Sequence, residues 1–254
     1  MPKLGISLEV GRSATSSGSP SGGGGLVNAY SVDFDGADDY VDIGASGSLG
    51  SVSLWFKPDV EISDSSVAKA VVGFTGVSPW GAYGSIQFGG NTSSDVDDEI
   101  ITIYTGDWVY AYASTSATIS TDWHHLAIRW TGSDYEIYLD GTQVKNTDGQ
   151  SGSGSKANIA ISAFSIGRRN NNSRFFAGLL DEVAIWTSPL SATDVVAIYN
   201  SGTPADLTDY SPVGWWRMGD NDGGTGTTIT DQGSGSNDGT LTNGPAFSSD
   251  VPSA

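Results

Sequence analysis

The chain has 254 residues, only 16% of them charged, and its 11 basic against 29 acidic side chains give a formal net charge of −18. That balance excludes nucleic acid and anionic membranes as partners, because phosphates need Lys and Arg to displace their counterions, and it reads first as charge for solubility. Cys is absent, which excludes disulfides and thiolate metal sites, while 35 Gly and an Asp-rich acidity predict many turns and short strands in one all-β unit, long enough to bury a full two-sheet core.

Residues 1–27 form an N-terminal arm. KLGISLEV places Leu4, Ile6, Leu8 and Val10 on one side of a short strand, which marks them as anchors on a partner's sheet edge. SATSSGSPSGGGG is a flexible tether by composition. The opening residues show no apolar region of a signal peptide, and no stretch approaches the apolar length of a membrane-spanning helix. From Tyr30, YSVDF alternates, GADD breaks and YVDIG resumes. SVSLWFKP is a strand stopped by Pro58. KAVVGFTG, GSIQFGG and EIITIYTGDWVYAYAS follow, separated by Gly, Asn and Asp clusters. WHHLAIRW, TGSD and YEIYLDGTQV predict hairpins, the second closed by the tight pair Asp140-Gly141. NIAISAFSIG and FAGLLDEVAIW are further strands. The one short helix is ATDVVAIYN, with Ser191 as N-cap, Asp194 completing an imperfect capping box and Gly202 at the C′ position. Trp215 to Gly244 then reads as strand, turn, strand, loop, strand. Strands at this spacing with almost no helix predict a sandwich or barrel.

FDGADDYVDIG, SVSLWFKP, WHHLAIRWTGSDYEIYLDG and IGRR…FFAGLLDEVAIWTSPLSATDVVAIYNSG together resemble, over residues 30–202, the laminin-G-like jelly roll of the concanavalin A-like lectin/glucanase superfamily. The resemblance implies an all-β, two-sheet antiparallel jelly-roll sandwich with a metal or ligand bound at a rim. In many relatives a segment like GWWRMGDNDGGTGTTITDQGSGSNDGTLTNG precedes the FDGADDYV motif; here it follows the helix. That order predicts a circularly permuted sandwich, a single domain over 28–254 in which 213–247 return to complete the sheets. A truncated second repeat is the other reading, but it would leave Trp215, Trp216, Met218 and Ile229 without a core. Permuted arrangements of this kind resemble those in structural proteins of tailed bacteriophages. The first expectation is therefore a non-enzymatic virion structural or decoration protein of capsid, tail or fibre. It would sit on the virion surface, held by its arm to other virion proteins or to copies of itself. The alternative is an extracellular carbohydrate-binding or adhesion module.

Retaining glycoside hydrolysis needs two carboxyls about 5 Å apart, and no Glu pair has that spacing; Glu136 with Asp140 comes nearest. No enzyme is expected. His124 and His125 are adjacent, so on a strand they face opposite sides and cannot share one zinc. A Ser-His-Asp triad would lack the G-x-S-x-G elbow. The resemblance places the motifs of Asp38, Asp39 and Asp181 close together, which makes structural calcium the one expected cofactor, with Asp220 and Asp222 joining if the C-terminal strands return. Turn and amide-capping roles are the plainer account of the same residues. A surface glycan would be met by Trp80, Tyr83, Arg168, Arg169 and Asn170. Trp108, Tyr110 and Tyr112 share one face of WVYAY, which by its apolar character reads as core.

Overall fold

A computed structural model describes residues 26–44, 47–63, 67–76, 83–89, 101–105, 109–113, 118–132, 135–144, 146–147 and 159–253. The strands in chain order are β1 (Ser31–Asp35), β2 (Tyr40–Asp42), β3 (Gly47–Leu49), β4 (Ser51–Pro58), β5 (Lys69–Gly76), β6 (Tyr83–Phe88), β7 (Ile101–Thr105), β8 (Val109–Ala113) and β9 (His124–Trp130). There follow β10 (Tyr135–Leu139), β11 (Thr142–Val144), β12 (Asn146–Thr147), β13 (Ile159–Ile166), β14 (Ala177–Trp186), helix α1 (Ala192–Tyr199), β15 (Gly214–Trp216), β16 (Thr228–Ile229), β17 (Gly239–Thr242) and β18 (Ala246–Ser248). They build two antiparallel sheets, the jelly-roll sandwich that the strand spacing and motifs imply. One sheet runs β11-β10-β9-β4-β14-β1-β18, with β15 also on β14; the other runs β12-β8-β7-β6-β5-β13-β2-β17-β16, with β3 on β13.

Two-residue alternation decides what each strand buries. On β4, Val52, Leu54 and Phe56 belong to the main core between the sheets. They meet Phe74, Ile86, Phe88, Ile101, Ile103, Phe164 and Ile166 from the opposite sheet. A second, smaller cluster lies outside the first sheet, where Val195 and Ile198 of α1 pack with Trp186 and Leu190. Ser191 caps α1 as expected, and with Asp194 it forms a complete capping box. The C-cap is Asn200 in the left-handed region (φ 48), two residues before Gly202, because Asn tolerates that conformation and its N–H reaches Val196 O. At the β10–β11 turn, Asp140 and Gly141 both take positive φ (49 and 70), the signature of a type I′ hairpin.

The C-terminal strands are part of both sheets. β4 occupies one edge of β14 along most of its length. The other edge is shared: β1 pairs with Ala177–Leu180 and β15 with Val183–Ile185. Thus β15 continues the row that β1 begins. On the same sheet β18 pairs with the other edge of β1, and on the opposite sheet β17 pairs with β2. Trp215 and Trp216 are adjacent and therefore face opposite ways. Trp216 enters the main core, stacked on Phe164 at 5.7 Å, while Trp215 joins the cluster beneath α1. Met218 and Ile229 are fully buried with Trp216.

Candidate functional site

On the face of the second sheet turned away from the core, the loop after β13 lies flat over β5. Gly73 permits this: a Cβ there would stand 2.4 Å from the Arg168 carbonyl oxygen and 2.9 Å from Asn170 N. The loop closes on itself, Arg169 N donating to Ser173 O (3.0 Å) and Asn172 N to Arg169 O (3.1 Å). Asn170 is fixed on both sides of its amide. Its Oδ1 accepts from Ser165 Oγ, and its Nδ2 donates to Thr75 Oγ1 at 3.1 Å. Arg169 Nη2 donates to the Tyr83 carbonyl (3.1 Å), which ties the loop to the start of β6. The Arg168 guanidinium lies over the Tyr40 ring, 3.3 Å from its centroid, and bonds Asn172 Oδ1.

Tyr83 is 42% exposed and is the one aromatic among the exposed large hydrophobic residues in the described part of the chain. The fold therefore gathers Tyr83, Arg169 and Asn170 in one place. Arg168 lies on the far side of the loop, over β2. Trp80 and Trp108 fall outside the described residues. The register places Tyr110 opposite Tyr104 and Tyr112 opposite Thr102, while Ala111 and Ala113 stand opposite the buried Ile103 and Ile101. The side chains of Tyr110 and Tyr112 fall outside the described residues.

The carboxylates divide into two groups. Asp35, Asp38 and Asp39 bring ligand oxygens within 4.8 Å of one another, enough for part of a calcium shell of six to eight oxygens. Asp35 was not among the sequence candidates, although it opens the same FDGADD turn. Two of these carboxylates already serve the turn: Asp35 Oδ1 accepts from Ala37 N and Asp39 Oδ2 from Asp35 N. Asp181 does not join them. Asp35 pairs with Ala177, four residues along β14 from Asp181, a separation of about 13 Å.

Asp181 sits instead at the seam where β1 gives way to β15. A bulge in β14 falls there, with Glu182 at φ 47. Asp181 Oδ2 accepts from Asn28 Nδ2 (2.8 Å), and Glu182 accepts from Arg217 Nε (2.9 Å) and Trp215 Nε1 (2.5 Å). Asp220 accepts from Ala29 N and Tyr30 N, and from Arg217 Nη2. Asp222 bonds Thr230 instead. Burial pushes the Asp181 carboxyl well above its ordinary value of 3.8, with the Glu182 charge adding to the rise. Burial likewise raises Glu182 from 4.5 to about 7 against the pull of Arg217. The chemistry of this group is structural: both side chains are sealed from solvent, at 0% and 2% exposure.

The histidines form two further networks. Ser120 Oγ, His124 and Asp140 follow one another at 3.1 and 2.8 Å, the connectivity of a nucleophile, base and orienting acid. Ser120 Oγ also donates to Asp122 Oδ2 and accepts from Asp122 N, so the hydroxyl is engaged as a turn clamp. On the other face His125 is fully buried beside Trp55 and Tyr199, its Nε2 2.8 Å from Ser53 Oγ. Glu136 accepts from Arg129 Nε and Nη2 and from the Tyr138 hydroxyl, and Arg129 keeps its carboxyl below the ordinary value. It lies four residues along β10 and its turn from Asp140, about 13 Å, beyond the separations of retaining or inverting glycosidases.

Residues 35–196 match the family described as the concanavalin A-like lectin/glucanases superfamily. Among curated proteins there is no match. A protein of Bacteroides ovatus ATCC 8483, described as a candidate carbohydrate-binding protein, has the same fold at a TM-score of 0.60 and 18% identity over 90% of this chain. This chain spans 62% of that protein. A heptameric pentraxin of Limulus polyphemus aligns at 14% identity and TM-score 0.49, covering 68% of this chain and 82% of its own. A Ruminococcus gnavus sialidase CBM40 bound to α2,3-sialyllactose aligns at 10% identity and TM-score 0.47, covering 69% and 100%.

Proposed function

The chain belongs to the concanavalin A-like lectin/glucanases superfamily, and from that premise we propose that it is a non-catalytic glycan-binding module that works outside the cell. The observation that carries this reading is Tyr83, an exposed aromatic beside a loop whose Arg169 and Asn170 are already locked in place. A sugar needs an aromatic face for its apolar side and pre-positioned polar groups for its hydroxyls. Freezing those groups before binding lowers the ordering cost. Glu136 and Asp140 stand too far apart for the two carboxyls of a glycosidase, which agrees with binding rather than cleavage. The fold comparison with the Bacteroides ovatus protein favours this over the virion reading. The arm on which that reading turned, Leu4, Ile6, Leu8 and Val10 included, lies outside the described residues.

A glycan array followed by calorimetric titration of the strongest ligand tests the proposal. Tyr83→Ala should weaken binding at least tenfold, as an aromatic hot spot does, with an unchanged melting temperature. Undiminished binding by that variant, or no binding by the unaltered protein to any glycan, would sink the reading.

A further inference from the structure

The glycan-binding reading leaves one cavity and one sequence motif without a role. The cavity, of about 300 Å3, opens where β4 ends and β5 and β14 begin. Phe88 and Phe176 are buried at its floor, while Val60 and Val67 stand 70% and 80% exposed at its mouth. Large apolar side chains held in water beside an apolar cavity mark a surface that something covers.

Acidic side chains outnumber basic ones around the mouth. Glu61 and Lys69 are part of the lining, and Lys69 is turned to the Gly36 carbonyl at 3.4 Å. Ala177, also in the lining, pairs with Asp35, and its carbonyl accepts from Asp59 N. Asp35 and Asp59, both joined to Ala177, and Asp33 beside them supply the acidic charge next to the mouth. The Asp33 carboxyl is raised first by burial and then by the charges of Asp59 and Asp35. For Asp39, too, burial is the larger cause, with Asp35, Asp38 and Asp33 adding to it. An occupant that fits this setting is apolar in the middle and cationic at its ends.

We propose that the cavity is the docking site for residues 3–12 of the same chain, with the Leu4, Ile6, Leu8 and Val10 side against the apolar mouth. Lys3 and Arg12 flank that stretch and meet the carboxylates of the rim; Glu9 is its one acidic residue. Reach is satisfied. Residues 13–25 are a Gly/Ser-rich tether of thirteen residues, for which the root-mean-square span is about 20 Å. Asn28 is bonded to Asp181, and the cavity begins at Ala177, about 13 Å along β14. A tether whose root-mean-square length matches the distance gives the highest effective concentration, of millimolar order. Docking within one molecule therefore outcompetes docking between molecules at ordinary concentrations.

The absence of native Cys makes the test direct. The full chain carrying Ile6→Cys and Val67→Cys should form an intramolecular disulfide on mild oxidation, seen as a shifted monomer band on a non-reducing gel. A control pairs Ile6→Cys with Val196→Cys, on the exposed face of α1; it should stay reduced. Adding Leu4→Asp and Val10→Asp to the first pair should abolish the crosslink. No crosslink at position 67, equal crosslinking at position 196, or crosslinks only between two chains would each overturn the proposal. Glycan titration of the same variants should be unaffected, which keeps this test separate from the binding reading.

Discussion

Two buried titratable residues pull stability in opposite directions with pH. Glu182 has its carboxyl raised from 4.5 to about 7 by burial, so the folded chain holds a proton that the unfolded chain releases. Its contribution is full below pH 4.5 and is lost as pH rises through 7. His125 is lowered from 6.5 to about 4 by burial, so the unfolded chain takes a proton that the folded chain refuses. Its contribution is full above pH 6.5 and is lost as pH falls through 4. Each shift is worth on the order of 3 kcal/mol, and between pH 4.5 and 6.5 they offset. Glu182→Gln should therefore make the melting temperature rise more steeply with pH across that window. His125→Gln, which can keep the bond to Ser53, should make it fall. Melting curves for both variants that run parallel to the unaltered protein from pH 4 to 8 would show that neither group titrates as described. Glu136 offers a further check. Held ionised by Arg129, it is unsuited to be a general acid. No reducing sugar should be released from β-glucans, and release abolished by Glu136→Gln would restore an enzyme reading.

At the scale of elements, the candidate site depends on a loop and the strand beneath it. The loop of Arg168–Ser173 keeps its place because β5 has no side chain at Gly73. Gly73→Ala would bring a methyl group against backbone, which cannot step aside as a flexible side chain would. The loop should lift, Asn170 should lose its bond to Thr75, and glycan affinity should drop several-fold although Gly73 touches no ligand. The destabilisation should be about 1–3 kcal/mol, the usual cost of overpacking. Unaltered affinity in a properly folded variant would mean that the loop's seat does not matter to binding. The helix illustrates local legibility. Its N-cap and box follow from Ser191 and Asp194 alone, whereas its end is set by Asn200, since more than one residue there can adopt the left-handed conformation.

At the scale of the whole molecule, the last fifty residues hold the sandwich closed. Trp216, Met218 and Ile229 are each fully buried in the main core, and β15, β17 and β18 pair with β14, β2 and β1. Losing one large buried aromatic costs about 3–5 kcal/mol, a large share of a typical domain's total stability. A chain ending at Gly202 should therefore lose cooperative thermal unfolding and bind a hydrophobic dye, as a loosely packed state does. A soluble 26–202 fragment that melts cooperatively would show that the sandwich closes without its returning strands.

By itself the sequence determined what depends on near neighbours. Strand alternation, the Asp140-Gly141 turn, the Ser191 cap and the motif order all act within a few residues, and they specify an all-β sandwich with one helix. Tyr83, Arg169 and Asn170 were legible as residue types, an aromatic at a strand start and the polar loop RRNNNSR, but not as neighbours. Only the tertiary structure decided which residues meet across long separations. It placed Asp181 with Asn28, Glu182 and Asp220 rather than with Asp38 and Asp39, because the register of β1 on β14 sets Asp35 against Ala177. The physical reason is the choice of register. A strand's sequence gives two faces of equal period, and only hydrogen bonding to a particular neighbour in a particular register chooses between them.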